Sequence, residues 1–192
     1  MNLIQLLPFG LAAAETLSEL RAGLEREFAV PCEILPPEPE PAFAFNLTRQ
    51  QYSSTEILAV MLKRNTPAQW RLLGVTPLDL YIPILTFVFG EAQLPGTCAV
   101  VSSHRLSQEF YGLPADPRLQ HERLLKEAVH ELGHTLNISH CEDYQCAMAP
   151  SHGVEWIDLK TSRFCRSCRA LLPSRSILSL NSELEGGFIG TI

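Results

Sequence analysis

Residues 130–140 read HELGHTLNISH. His130 and His134 are one helical turn apart, so on a helix both imidazoles project from one face. Glu131, about 100° round the helix, can take a proton from water on a metal held by that face without ligating the metal itself. His140 lies just beyond Asn137, and the helix must break between Thr135 and His140 for the chain to turn back on itself. Asn suits the break, because after Gly it most readily adopts the left-handed conformation that ends helices. The pattern HExxHxxNxxH therefore predicts a hydrolytic zinc site, with His130, His134 and His140 as ligands and Glu131 as base. Two histidines at helical spacing alone are often solvated surface residues. The glutamate, the breaker and the third histidine make the pattern specific.

The flanking sequence agrees. Asp116 followed by Pro117 is an N-cap with proline at the first helical position. Leu125, Ala128, Val129, Leu132 and Leu136 form an apolar stripe nearly opposite the histidine face. One side of this helix is expected to pack on a core while the other opens to a cleft.

After His140 come Cys141, Cys146, Met148, Cys165 and Cys168. The run HExxHxxNxxHC-x4-C-x-M followed by CxxC resembles the archaemetzincins, a metzincin branch in which four cysteines hold a second, structural zinc. Cysteines in two such pairs suit a tetrahedral sulfur site. The resemblance is most specific over residues 120–168, weaker over 79–112 and thin before that. Two departures stand out: Asn137 where Gly is usual, and an irregular spacing before Cys165. The resemblance implies two zinc ions per chain, a catalytic one on His130, His134 and His140 and a structural one on Cys141, Cys146, Cys165 and Cys168. Read from the residues alone, the six cysteines also admit disulfides and an exported protein, or a redox CxxC. Cys32 and Cys98 lie in apolar, strand-like stretches and read as buried small hydrophobes.

The chain has 192 residues, enough for one sizeable core, and its 46% hydrophobic content fits a soluble globular protein. A net charge of −6 without a basic cluster argues against nucleic acid and anionic membranes as partners. The apolar run Leu80 to Phe89 contains Pro83 and is half a membrane span. The apolar N-terminus lacks the basic region of a signal peptide. A cytoplasmic monomer acting on peptides is expected, in a compartment where thiols stay reduced.

Strands are expected at Asn2 to Leu7, Ala29 to Leu35, Trp70 to Thr76, Ile84 to Phe89 and Thr97 to Ser103, and a helix over Ala12 to Phe28. Ser53 with Glu56 forms a capping box opening a helix to about Arg64. Pro36 to Pro41 reads as an exposed loop or a lip of the cleft. No internal repeat is present. The fold class is α+β with an α/β upper part. In metzincin-like proteins a mixed five-stranded sheet and helices stand above the cleft, with a small irregular zinc-stapled part below. Residues 1–138 would form the upper subdomain and 139–192 the lower one, which has too few clustered apolar residues for a core of its own. Thr86 to Ala92 is the candidate edge strand that would align a peptide by β-augmentation.

The mechanism follows from the ligands. Three neutral imidazoles leave zinc's fourth position to water, whose pKa falls to about 7. Glu131 takes its proton and returns it to the leaving amine. Met148 would form the Met-turn as packing, and Pro150 stands where some metzincins carry an assisting tyrosine; Tyr144 is the candidate substitute. The family leans toward aminopeptidase-like action, and the alternative is a catalytically silent zinc-stabilised binding module. His104, His121 and His152 read as surface or local hydrogen-bonding residues, with His121 a candidate for the cleft wall. The tail from Ser174 onward carries no functional signal and is expected to be poorly ordered.

Overall fold

The computed structural model describes residues 2–64 and 70–173. The tail from Ser174 onward lies outside the described residues. Strand β1 (Ile4–Pro8) leads into helix α1 (Ala14–Phe28) and strand β2 (Cys32–Ile34). Strands β3 (Phe45–Asn46) and β4 (Gln51–Ser53) precede helix α2 (Ser54–Leu62). Strands β5 (Arg71–Thr76), β6 (Leu80–Tyr81), β7 (Gly90–Ala92) and β8 (Cys98–Ser102) then lead to the long helix α3 (Pro117–Thr135). Two short helices, α4 (Val154–Leu159) and α5 (Arg166–Arg169), complete the described chain.

The main sheet has five strands in the order β2-β1-β5-β8-β7, parallel except for β7, which runs antiparallel to β8. Its strands read as apolar runs because both faces are covered. Alternate residues point to opposite sides. Ile4, Leu6, Leu73, Val75, Ala99 and Val101 join one core with residues of α1 and α3. Leu7, Leu72, Cys98 and Val100 join a second core with Ile57, Leu58 and Met61 of α2. Each such fully buried Leu or Val stabilises the fold by about 1.5–3 kcal/mol. Cys32 and Cys98 are buried, one in each core, as small hydrophobes.

Several expectations shift. Ala29 takes a left-handed conformation and closes α1, so β2 starts only at Cys32. Ile84 to Phe89 does not form a strand. Pro83 lacks a backbone donor and sits in a turn closed by Leu85 N–H to the Ile82 carbonyl, while Ile84 is 86% exposed. The expected edge strand shortens to Gly90–Ala92. A small second sheet, β3-β4-β6, was not foreseen, since its strands are two or three residues long. The Pro36–Pro41 segment is not a cleft lip. Glu38 bridges Phe9 at the end of β1, away from the residues lining the cleft.

Helix α3 crosses the first core on the expected stripe, except that Leu124 is fully buried while Leu125 lies half-buried against Gly23 of α1. Asp116 caps it by accepting the Leu119 N–H at 3.0 Å. Its far end is tied to the sheet by Arg71, whose guanidinium donates to the Thr135 hydroxyl at 2.7 Å and carbonyl at 3.3 Å. Arg123 holds α3 to α4 through both oxygens of Asp158, at 2.7 Å each. Residues beyond 139 pack into the same core as α3, through Cys146, Met148, Ile157 and Phe164 among others. Among the described residues no helix is long and apolar enough to cross a membrane.

Candidate metal centre and active-site cleft

Helix α3 ends as its sequence demands. Asn137 takes φ 67°, its N–H bonds the His134 carbonyl, and the Ile138 N–H reaches back to the Gly133 carbonyl. This is the closing pattern of a Schellman turn, and it reverses the chain so that His140 returns to the helix. The three rings gather: His130 to His134, His134 to His140 and His130 to His140 have centroids 4.6, 5.0 and 5.3 Å apart.

Their hydrogen bonds orient them. His130 Nδ1 lies 2.8 Å from the Ala147 carbonyl, and His134 Nδ1 lies 2.8 Å from the Ile138 carbonyl. A carbonyl only accepts, so each Nδ1 carries the proton and each Nε2 presents a lone pair. These two Nε2 atoms face one another at 3.1 Å. Burial first, then the nearby Lys160 and His134 charges, push His130 well below the ordinary histidine range, and burial likewise lowers His134 and His140. Neutral rings with converging lone pairs fit a cation bound between them. The ligating atoms of the three histidines all lie within 4.8 Å of one another, which suits zinc.

Glu131 turns to the cleft beside this cluster, against β7. A Cβ on Gly90 would stand 2.6 Å from Glu131 Cγ, so only glycine lets the carboxylate side chain come this close to the strand. Burial, followed by the charges of Glu127 and Glu91, raises its pKa well above the usual carboxylate range, with Lys160 opposing. A carboxylate raised in this way is a stronger proton acceptor near neutral pH.

The four cysteines of the expected second site also converge, with all ligating sulfurs within 4.8 Å. Cys141 and Cys165 sulfurs are 3.8 Å apart. That is nearly twice a disulfide bond of about 2.05 Å, and it matches the sulfur separation in a tetrahedral site with Zn–S of about 2.3 Å. Backbone N–H groups of Cys165 and Met148 point at Cys146 Sγ, at 3.3 and 3.5 Å. The Cys168 backbone N–H draws the Cys165 thiol down to about 7, whereas burial pushes Cys146 and Cys168 up. One thiolate forms readily; four together require a cation among them. The disulfide reading fails here, since all six cysteines are free and Cys32 and Cys98 lie apart in the two cores.

A cleft of about 410 Å³ runs along the histidines, large enough for a small ligand or part of a peptide. Its upper wall is β7 with Leu85, Phe87 and Val88, and its lower wall is Pro150, Ser151 and His152. β7 is the sheet's edge. Phe89 O and Gln93 N–H bond towards β8, so by alternation the backbone groups of Gly90 and Ala92 point outward to the cleft side. Met148 packs against α3, its sulfur 2.3 Å from where a Cβ on Gly133 would stand.

Other residues fall differently from expectation. His121 is not a cleft residue: its Nε2 lies 3.1 Å from Thr16 Oγ1, between α1 and α3. His104 bonds the Pro77 carbonyl, 27 residues away in sequence, at 3.2 Å. His152 instead lines the cleft, its ring edge-on to Trp156. Tyr144 is 61% exposed and borders a neighbouring depression beyond Pro150, outside the cleft. The sequence reading passed over Glu127, Lys160, Ser151 and Gly90. Glu127 had a signal, since it precedes His130 by three positions and so shares its face; Lys160 had none.

A match to the model of peptidase family M54 spans residues 43–174. The archaemetzincin of Methanocaldococcus jannaschii is 41% identical over 170 residues, covering 88% of this chain and 92% of that protein. That of Pyrococcus furiosus is 36% identical over 180 residues, covering 91% and 94%. Among solved structures, the archaemetzincin of Archaeoglobus fulgidus complexed with malonate superposes with a TM-score of 0.77 at 37% identity, over 88% of this chain and 99% of that one. A zinc-dependent peptidase from Methanocorpusculum labreanum gives 0.81 at 29% identity, over 88% and 100%. The mixed five-stranded sheet and the converging histidines agree with these similarities. The chain belongs to peptidase family M54, the archaemetzincins, and is a zinc metallopeptidase.

Proposed function

We propose that His130, His134 and His140 hold a catalytic zinc, that Glu131 is the general base, and that Cys141, Cys146, Cys165 and Cys168 hold a structural zinc, giving two ions per chain. The observation that carries this reading is the pair of Nε2 lone pairs facing at 3.1 Å with Glu131 alongside. Zinc bound there would lower the pKa of its water to about 7 and polarise the scissile carbonyl. Glu131 accepts the proton and later delivers it to the leaving amine. The outward backbone groups of Gly90 and Ala92 pair with an extended peptide running antiparallel to β7.

Aminopeptidase-like action needs a group for the substrate's α-ammonium. Glu91 favours it: it borders the cleft, its carboxylate takes hydroxyl donors from Ser54 and Thr55, and among the described residues no ion pair to it is found. Glu127, by contrast, is ion-paired to Lys160. The six free cysteines support a protein that works in the reducing cytoplasm, and we propose that it acts as a monomer. We divide the chain into an upper part, 1–138, and a lower part, 139–192, joined where α3 ends.

The test is a digest of an unbiased peptide library, read by mass spectrometry at both ends, for the native protein and Glu131→Gln. The native protein should release N-terminal residues, and the variant should cleave nothing while keeping its metal. Undiminished turnover by Glu131→Gln removes the general-base role. A native protein that binds peptides without cutting them favours the silent binding module.

A further inference from the structure

Lys160 follows α4 and is wholly buried, with its ammonium 2.8 Å from Glu127 Oε1; both side chains are almost without solvent contact. Burying two charges is unfavourable unless the geometry is well satisfied, and an apolar pair of similar shape often serves stability as well or better. The location of this pair suggests a different use. Lys160 Nζ also donates to the carbonyls of Ala147, at 3.3 Å, and Ala149, at 3.1 Å, so its three hydrogens are taken up. The Ala147 carbonyl is the same one that accepts from His130 Nδ1. The same Glu127 Oε1 also accepts from the Ser151 hydroxyl at 3.2 Å. One ion pair thus ties together α3, the Cys146–Ala149 turn that carries Met148, and the lower wall of the cleft.

We propose that Glu127 and Lys160 are positioning residues for the metal: they fix the carbonyl that aims His130 and lock the Met148 turn against α3 before an ion enters. The proposal rests on the reading of the three histidines as the catalytic zinc site. Lys160 supplies the anchor, and Glu127 cancels its charge. An unpaired ammonium 3.5 Å from His130 Nδ1 would oppose a dication on the far side of that ring. Groups that orient a ligating histidine typically change metal affinity about 10- to 100-fold when removed.

The experiment compares the native protein with Glu127→Gln/Lys160→Met, which removes both charges while keeping similar shapes. Zinc affinity of the weaker site is measured by competition with a chromophoric chelator, alongside Tm and the kcat and KM for a cleaved peptide. The double variant should keep a near-native Tm, lose about 10- to 100-fold in zinc affinity at the histidine site, and lose kcat at saturating zinc with little change in KM. Native zinc affinity in the folded double variant overturns the proposal and leaves the pair a mere structural tie. If the double variant does not fold, Glu127→Gln alone decides: about tenfold weaker zinc supports the proposal, and unchanged affinity overturns it. A native protein without any metal at the histidines overturns the underlying zinc assignment instead, so the two failures are distinct.

Discussion

Gly90 sets how closely Glu131, the proposed general base, can approach the edge strand. A Cβ there would lie 2.6 Å from Glu131 Cγ and 2.7 Å from the Val100 carbonyl oxygen, and the second of these is backbone that cannot swing aside. Gly90→Ala should therefore displace β7 or Glu131 by a fraction of an ångström. A misplacement of about 1 Å at a reacting group can cost about 100-fold in rate, so this smaller shift should lower kcat by less than that while metal content stays native. Steady-state kinetics with metal analysis checks this. A Gly90→Ala protein with native kcat would mean that Glu131 does not depend on this seat.

At the scale of elements, the end of α3 is the junction on which the site depends. Asn137 holds a left-handed conformation, which costs a residue bearing a Cβ about 1–2 kcal/mol unless its side chain relieves it. Asn137→Ala should lower unfolding free energy by about 1 kcal/mol, whereas Asn137→Gly should cost nothing, because Gly adopts that φ freely. Denaturant titration of both variants measures the difference. Equal stability of the two would show that the turn is held by its surroundings, such as the His134 to Ile138 bond, and not by local preference. The expectation of a strand over Ile84 to Phe89 failed at this same scale. Apolar content there marks the wall of the cleft, and a short strand's pairing depends on neighbours that local pattern does not reveal.

For the whole molecule, two metal sites of unlike character should be separable. His134→Ala should remove about one zinc and all activity with a modest change in Tm, because an open catalytic site contributes little to folding. Cys165→Ser should remove the other and lower Tm by on the order of 10 °C, since a structural metal's binding free energy is largely folding free energy. Activity should fall with it, because Cys141 adjoins His140 and its N–H bonds the Met148 carbonyl. Metal analysis and thermal unfolding of both variants test this. A Cys165→Ser variant with native Tm and full metal content would show that the four cysteines are not a structural metal site.

By itself the sequence determined the candidate ligands His130, His134 and His140, the candidate base Glu131, the helix that carries most of them and the residue that ends it. Each of these depends on spacing along one helix or across one turn, and such spacing is translated directly into geometry by a period of about 3.6 residues. The apolar stripe of α3 was legible for the same reason, and the burial of Cys32 and Cys98 followed from the apolar, strand-like stretches around them. Only the tertiary structure decided the rest. That β7 is the edge, that Gly90 meets Glu131, that Lys160 reaches Glu127 and the Ala147 carbonyl, and that His152 rather than His121 lines the cleft all depend on contacts between distant segments. Strand order and cross-element ion pairs are settled when the whole core packs, and no local period encodes which side chains then face one another.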